Sequence, residues 1–214
     1  MKTARLGLFA IIVTLVQSGC SVLGIRTTAE PGYQLLQQQG QFEIRQYQAY
    51  VIATTQVDAD FKDAGSQAFR RLFKYISGEN RAQQDIAMTA PVIATETASG
   101  ASETIAMTAP VTGEEDGKGW RFSFVLPATY TLQSAPAPID DRIRLEQVPA
   151  HRVAVLRYSG SWGNDKFDEH AAALEQWLRQ QQLVPASRPR LAAYDPPFAL
   201  PFLRRNEVMI DIES

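Results

Sequence analysis

The fold can be read outward from Phe42-Glu43-Ile44-Arg45-Gln46-Tyr47 and, two residues on, Tyr50-Val51-Ile52-Ala53-Thr54-Thr55-Gln56-Val57. The first block alternates apolar and polar residues, the period of a half-buried strand. The second is rich in β-branched residues, which suit a pleated surface. Asp58, Asp60 and Asp63 follow, and acidic residues complement the positive end of a helix dipole. Phe61, Ala68, Phe69, Leu72, Phe73 and Ile76 then recur at helical spacing and predict one broad apolar face. Arg70, Arg71 and Lys74 sit late in that helix, and Gly78 is a natural stop.

A shift of 101 residues lays this pattern on the second half of the chain. Ile44 falls on Leu145, Gln46 on Gln147, Ala49 on Ala150, Tyr50 on His151 and Ala53 on Ala154. Ile143 to Val148 and Arg152 to Tyr158 read as strands, with Val153, Val155 and Arg157 on one side. Asn164 is a candidate N-cap for a helix running to about Gln182. Its apolar stripe is Phe167, Ala171, Leu174, Trp177 and Leu178. Leu191–Tyr194 and Glu207–Ile212 close the chain as strands. The plan is therefore two strand–helix–strand–strand units in one α+β domain, related by a pseudo-two-fold. A pocket between sheet and helices, where the units meet, is the default ligand site.

Between the units the chain says one phrase twice. Ile86-Ala87-Met88-Thr89-Ala90-Pro91-Val92 returns as Ile105-Ala106-Met107-Thr108-Ala109-Pro110-Val111. Each copy reads as a short strand, with Met as an adaptable apolar contact and Pro at an edge or bulge. Gly113 to Gly119 reads as an acidic turn, Trp120 to Leu126 as an alternating strand, and 133–141 as a Pro/Ala connector.

The chain has 214 residues, 45% hydrophobic and 21% charged, with a net charge of −2. That composition is globular, and it gives no electrostatic case for nucleic acid. Residues 1–19 read as a signal peptide: Lys2 and Arg5, then an apolar run from Leu6 to Val16 that is too short to span a bilayer. Gln17-Ser18-Gly19-Cys20 resembles a bacterial lipobox, although Gln17 stands where an aliphatic residue is usual. Cys20 is the only cysteine, so no intrachain disulfide can form. Lipid on Cys20 would anchor the protein at a membrane, with residues 20–32 as a tether. Ser21 by resemblance favours the outer membrane, facing the periplasm. Cleavage removes Lys2 and Arg5 and no acidic residue, moving the net charge from −2 to −4.

Catalytic motifs are absent from the sequence. There is no His/Cys cluster at metal spacing, no phosphate-binding Gly loop and no nucleophile elbow around Gly160-Ser161. His151 falls in a turn. His170 falls at the edge of the second helix's stripe, as an axial haem ligand or as a histidine satisfied by its own protein. Lys74 beside Tyr75, and Arg204 with Arg205, either solvate the ends of elements or hold a ligand carboxylate.

Together these motifs resemble the SOUL/haem-binding protein family over about residues 31–213. The resemblance is carried by Phe42-Glu43-Ile44-Arg45-x-Tyr47; Lys74-Tyr75-Ile76-x-Gly78-x-Asn80; Met88-Thr89-x-Pro91-Val92; Pro136-x-Pro138; and Tyr194-Asp195-Pro196-Pro197 followed by Arg204-Arg205-Asn206-Glu207-Val208. It implies a domain over 33–214 of duplicated βαββ units, forming a curved, distorted-barrel, mainly antiparallel sheet with two long helices. The fold is similar to effector-binding domains of bacterial multidrug regulators. The resemblance also implies non-covalent binding of haem or a related tetrapyrrole in a shallow apolar groove. Lys74 matches a groove lysine. The groove arginine earlier in that helix has Ser66 near its place, and no histidine precedes His151 to match the proposed axial ligand. Met88, Phe69, Phe73, Tyr75 and Lys74 are the expected contacts, with His170 as the metal candidate. The expected role is an envelope-anchored tetrapyrrole binder or carrier. The alternatives are a module for other hydrophobic molecules or a tetrapyrrole-modifying enzyme.

Overall fold

The computed structural model describes residues 28–82, 101–117, 119–161, 163–196 and 199–213. Cys20, Met88 and the first copy of the repeated phrase lie outside them. The strands are β1 (Tyr33–Gln39), β2 (Phe42–Tyr47), β3 (Tyr50–Val57), β4 (Asn80–Arg81), β5 (Val111–Asp116), β6 (Gly119–Val125), β7 (Ala137–Pro138), β8 (Ile143–Val148), β9 (His151–Tyr158), β10 (Arg190–Ala193) and β11 (Asn206–Ile212). The helices are α1 (Phe61–Ile76) and α2 (Asn164–Gln180). β4 pairs with β7; the other nine strands form one antiparallel sheet in the order β1-β2-β9-β11-β10-β5-β6-β3-β8.

The duplication is visible in that order. Shifting β2 by 101 residues gives β8, and shifting β3 gives β9, residue for residue. From β2 to β8 the order is palindromic about the β10–β5 pair. Each unit's first strand pairs with the second strand of the other unit: β2 with β9, and β8 with β3. Curvature follows. In a flat sheet β2 and β3 would stand six strand spacings apart, roughly 29 Å at about 4.8 Å each. Gln48-Ala49 alone joins them, a link that reaches only about 10 Å. The sheet must curl until its ends approach, which gives the half-barrel.

Both helices cover one face. α1 lies on β3 and β6, and α2 on β9 and β11. Under α1, Val51, Ala53, Phe122 and Phe124 meet Ala64, Ala68, Leu72 and Tyr75. Under α2, Ala154, Leu156, Val208 and Ile210 meet Ala171, Leu174, Trp177 and Leu178. Phe61 packs against both clusters and joins them.

Departures from the sequence reading have local causes. The acidic turn predicted at 113–119 is mostly strand: β5 and β6 pair from Val111↔Phe124 to Asp116↔Gly119 and turn at Gly117, where φ is +63°. The cap of α2 falls on Gly163, so Asn164 is the first helical residue, and the helix stops at Gln180. The fold engages the chain before β1, since Ala29 bridges Thr108 and Glu30 pairs with Arg205. The 105–111 copy is a strap rather than a free strand. Ile105 N–H donates to the Ile76 carbonyl, Thr108 Oγ1 bonds the Val125 carbonyl, and Val111 opens β5.

The helix-free face carries two ion pairs at equivalent places. Arg45 on β2 binds Glu207 on β11 across β9; Glu146 on β8 binds Arg121 on β6 across β3. The shift of 101 residues takes Arg45 to Glu146, and the strand registers equate Glu207 with Arg121. The positions are duplicated and the signs reversed.

Candidate functional site

α1 starts at Asp60, whose Oδ1 accepts the Asp63 N–H at 3.1 Å. Its buried stripe is Ala64, Ala68, Leu72, Tyr75 and Ile76. The stripe is narrower than the sequence suggests. Phe69 and Phe73, read from the sequence as part of the apolar face and as ligand contacts, are 41% and 48% exposed. Four residues apart, they share a flank one turn round from the core. Their rings lie 5.9 Å apart and nearly parallel at 11°, and the Phe69 ring meets Phe124 edge-on at 5.4 Å. Two phenylalanines left open side by side on a helix make a small apolar patch that a ligand could cover.

Cations follow each of the two rings in the sequence. Lys74 is exposed and bridges Glu79 at 3.1 Å, a contact that water competes for. Arg70 is exposed, and its Nε donates to the Ser66 carbonyl at 3.2 Å. Apolar rings with exposed cations beside them suit a flat, carboxylate-bearing macrocycle, so these residues fit a tetrapyrrole.

Tyr75 does not belong with them. It points inward, is 0% exposed, and its hydroxyl donates to the Pro136 carbonyl at 2.8 Å. Burial raises its pKa. A residue two positions from Phe73 lies across the helix, so Tyr75 cannot share a ligand with that flank. His170 sits on α2 in the other unit. Its ring stacks on Tyr158 at 4.0 Å, and Nδ1 lies 2.6 Å from the Lys166 carbonyl. No cluster of three or more His, Cys, Asp or Glu suited to a metal occurs among the described residues.

The motif around Lys74 is otherwise structural. Asn80 is 1% exposed; its Nδ2 donates to the Tyr75 and Glu103 carbonyls, and its Oδ1 accepts the Glu103 N–H. Gly78 turns at φ +114°. These residues fix the strap to the end of α1.

A second constellation was not foreseen. The motifs at 42–47 and 204–208 are two sides of one buried network. Arg45, 1% exposed, donates to Glu207 at 2.8 and 2.9 Å and to Glu43 at 2.7 Å. Glu207 also accepts from Tyr194 Oη and Arg205 Nε, each at 2.8 Å. Arg205 bonds Glu30 and lies 3.7 Å over the Tyr194 ring, so it is committed inside the fold. Burial would raise the Glu207 carboxyl, but Arg45 and Arg205 outweigh it and hold it below the ordinary carboxylate value. Burial pushes Tyr47 up to about 12. The alternating charges Glu43 and Arg45 in a strand were the available signal. Beside this network, His151 packs against both Tyr47 and Tyr50, with Nδ1 2.8 Å from the Pro149 carbonyl.

Two clefts of about 430 Å³ each also open on the surface. One lies where the units meet, floored by Trp120, Phe167 and Ala171. Its walls carry Glu115, Asp168 and Glu175 against Arg188. That net negative lining is the wrong sign for propionates. The other lies beside Arg157, Phe202 and Arg204.

Residues 28–211 match the family described as "SOUL heme-binding protein". The chain belongs to the SOUL haem-binding family. A curated relative, "Heme-binding protein 1" of Xenopus tropicalis, is 30% identical over 172 residues, covering 78% of this chain and 81% of its own. Among solved structures, the EcmrR C-terminal domain matches with a TM-score of 0.53 at 11% identity, over 85% of this chain and 98% of that one. An uncharacterized conserved protein from Listeria innocua matches with a TM-score of 0.50 at 9% identity, over 81% and 92%. These two likenesses concern the fold alone. The 42–47 and 204–208 motifs serve this chain's architecture, while Phe69, Phe73 and Lys74 face outward from α1.

Proposed function

We propose that this protein binds haem or a related planar tetrapyrrole, non-covalently, on the outer flank of α1. The observation that carries the reading is the exposed Phe69–Phe73 stack with Lys74 at its end. The rings cover one face of the macrocycle. Lys74 exchanges Glu79 for a propionate, and Arg70 adds a second cation. Bound haem would bring a redox-active iron; the chain's own part is to hold and orient the ring, as a binder or carrier. His170 is not assigned to the iron, because it stands on α2 against Tyr158. Lipid on Cys20 would place this activity at the cell envelope, on the periplasmic side of the outer membrane.

Each phenylalanine has roughly 60–120 Å² left to cover, from side chains that bury about 150–250 Å². At about 25 cal/mol/Å² and half coverage, the two rings together contribute roughly 1.5–3 kcal/mol, ten- to hundred-fold in affinity. Haemin titrated into the purified protein and followed by its Soret band should saturate. Phe69→Ser/Phe73→Ser should weaken binding by that factor, and Lys74→Ala by about two- to five-fold. An unaltered titration in the double variant overturns the site. Equal binding of iron-free protoporphyrin supports a tetrapyrrole reading over an iron-dependent one. For the anchor, Cys20→Ala should release the protein from the membrane fraction; retention there refutes lipidation at Cys20.

A second reading draws on the cleft where the units meet. Its aromatic floor and acidic walls suit hydrophobic molecules without carboxylates. Binding of unrelated hydrophobic dyes, with no competition from haemin, favours it.

A further inference from the structure

β1 has no counterpart in the second unit: it lies outside the palindrome, beyond β2. Its outer edge has no partner strand among the described residues, and all seven of its residues are exposed. An unpaired edge is a template for another strand, and proteins ordinarily blunt it with charge or proline. The opposite edge, β8, carries Arg144 and Glu146. β1 reads Tyr33-Gln34-Leu35-Leu36-Gln37-Gln38-Gln39 and carries no charge. Its one irregularity is a bulge between Leu35 and Gln37. That bulge falls at apolar residues, with Leu35 47% and Leu36 45% exposed.

The end of α2 meets this strand through neutral side chains. Gln37 Nε2 lies 3.5 Å from Gln181 Oε1, and Trp177 Nε1 donates to Gln39 Oε1 at 2.9 Å. Gln37 and Gln39 therefore lie against Gln181 and Trp177 of the α2 end, although they lie far apart in the sequence.

Charge selects the partner. A basic or an acidic strand would find nothing on β1 to pair with. A second copy of β1, running antiparallel across a two-fold axis, sets neutral residues opposite neutral residues. Glutamine both donates and accepts, so it matches itself. We infer that β1 pairs antiparallel with β1 of a second copy, joining two nine-stranded sheets through an isologous edge.

The test uses the full chain in its native membrane. Single cysteines are placed at Leu35, Leu36 and Gln37, one at a time, and at Gln147 on the β8 edge. Each sample is oxidised mildly and run unreduced, and the unaltered chain shows any band due to Cys20. Circular dichroism should give each variant an unfolding temperature close to the parent's, because the substituted side chains are exposed. A disulfide-linked dimer is expected at one or more of 35–37 and not at 147. Adding Gln38→Lys to the cross-linking variant should return the band to background, since a lysine on an edge strand blunts its pairing with another strand. No band at any of the three positions, an equal band at 147, or a band indifferent to Gln38→Lys overturns the proposal.

Discussion

Glu207→Gln should destabilise this domain more than Arg45→Met, although the two residues share one ion pair. Breaking a buried pair from one side costs about 3–5 kcal/mol, because a charge is left behind. What is left differs between the two substitutions. After Arg45→Met, Glu207 keeps Arg205 Nε and Tyr194 Oη, each at 2.8 Å. The loss should fall near the low end, about 3 kcal/mol. After Glu207→Gln, the guanidinium groups of Arg45 and Arg205 flank a neutral amide and depend on Glu43 and Glu30 at the rim. That loss should approach about 5 kcal/mol, or roughly 10–20 °C in Tm for a domain of this size. Urea unfolding followed by far-ultraviolet circular dichroism measures both. Acid adds a second check. Glu207's folded pKa is lowered, so its stabilisation is fully present above the unfolded value and is lost as pH falls through the folded one. Glu207→Gln should remove that share of the acid sensitivity. A loss under about 1 kcal/mol, or Arg45→Met proving the more damaging, refutes the assignment of Glu207 as the hub.

Three further outcomes follow from the geometry. Asn80→Ala should cost about 2–4 kcal/mol and loosen the chain leading into the 105–111 strap, because it removes the Nδ2 bonds to the Tyr75 and Glu103 carbonyls and the partner of the Glu103 N–H; hydrogen exchange at Ile105 reports it. Tyr75→Phe should cost about 1–2 kcal/mol through the unpaired Pro136 carbonyl, with haemin affinity unchanged because Tyr75 lies in the core. Gly119→Ala should be among the most damaging single-methyl additions. The new Cβ overlaps the Val57 carbonyl and comes within 2.9 Å of Asp58 Cα, so β3 and β6 must separate; loss of the cooperative unfolding transition or a large drop in Tm is the expected reading.

The duplication was legible because strand–strand–helix order survives substitution: β8 and β9 begin and end where the 101-residue shift puts them. Pairing was not legible. Gln48-Ala49 looks like a turn between partners, yet it bridges the two ends of a curled sheet, and only the non-local pairing explains this. The chemistry divides in the same way. Lys74 and the phenylalanines could be located from helical spacing, but Phe69, Phe73 and Tyr75 all read as ligand contacts there. Which of them faces out depends on where β6 and the 101–111 strap lie. The role of Glu207 was hidden because its partners, Arg45, Tyr194 and Arg205, converge from three strands or strand ends.

The reversed ion pairs carry a consequence for how two such halves recognise each other. Arg45 and Arg121 belong to the first half, Glu146 and Glu207 to the second. A particle assembled from two first halves would set Arg45 against Arg121. One assembled from two second halves would set Glu146 against Glu207. Only the mixed combination satisfies both sites. The two halves are therefore a lock and a key cut from one pattern: each carries the charge the other lacks, and neither can stand in for its sibling.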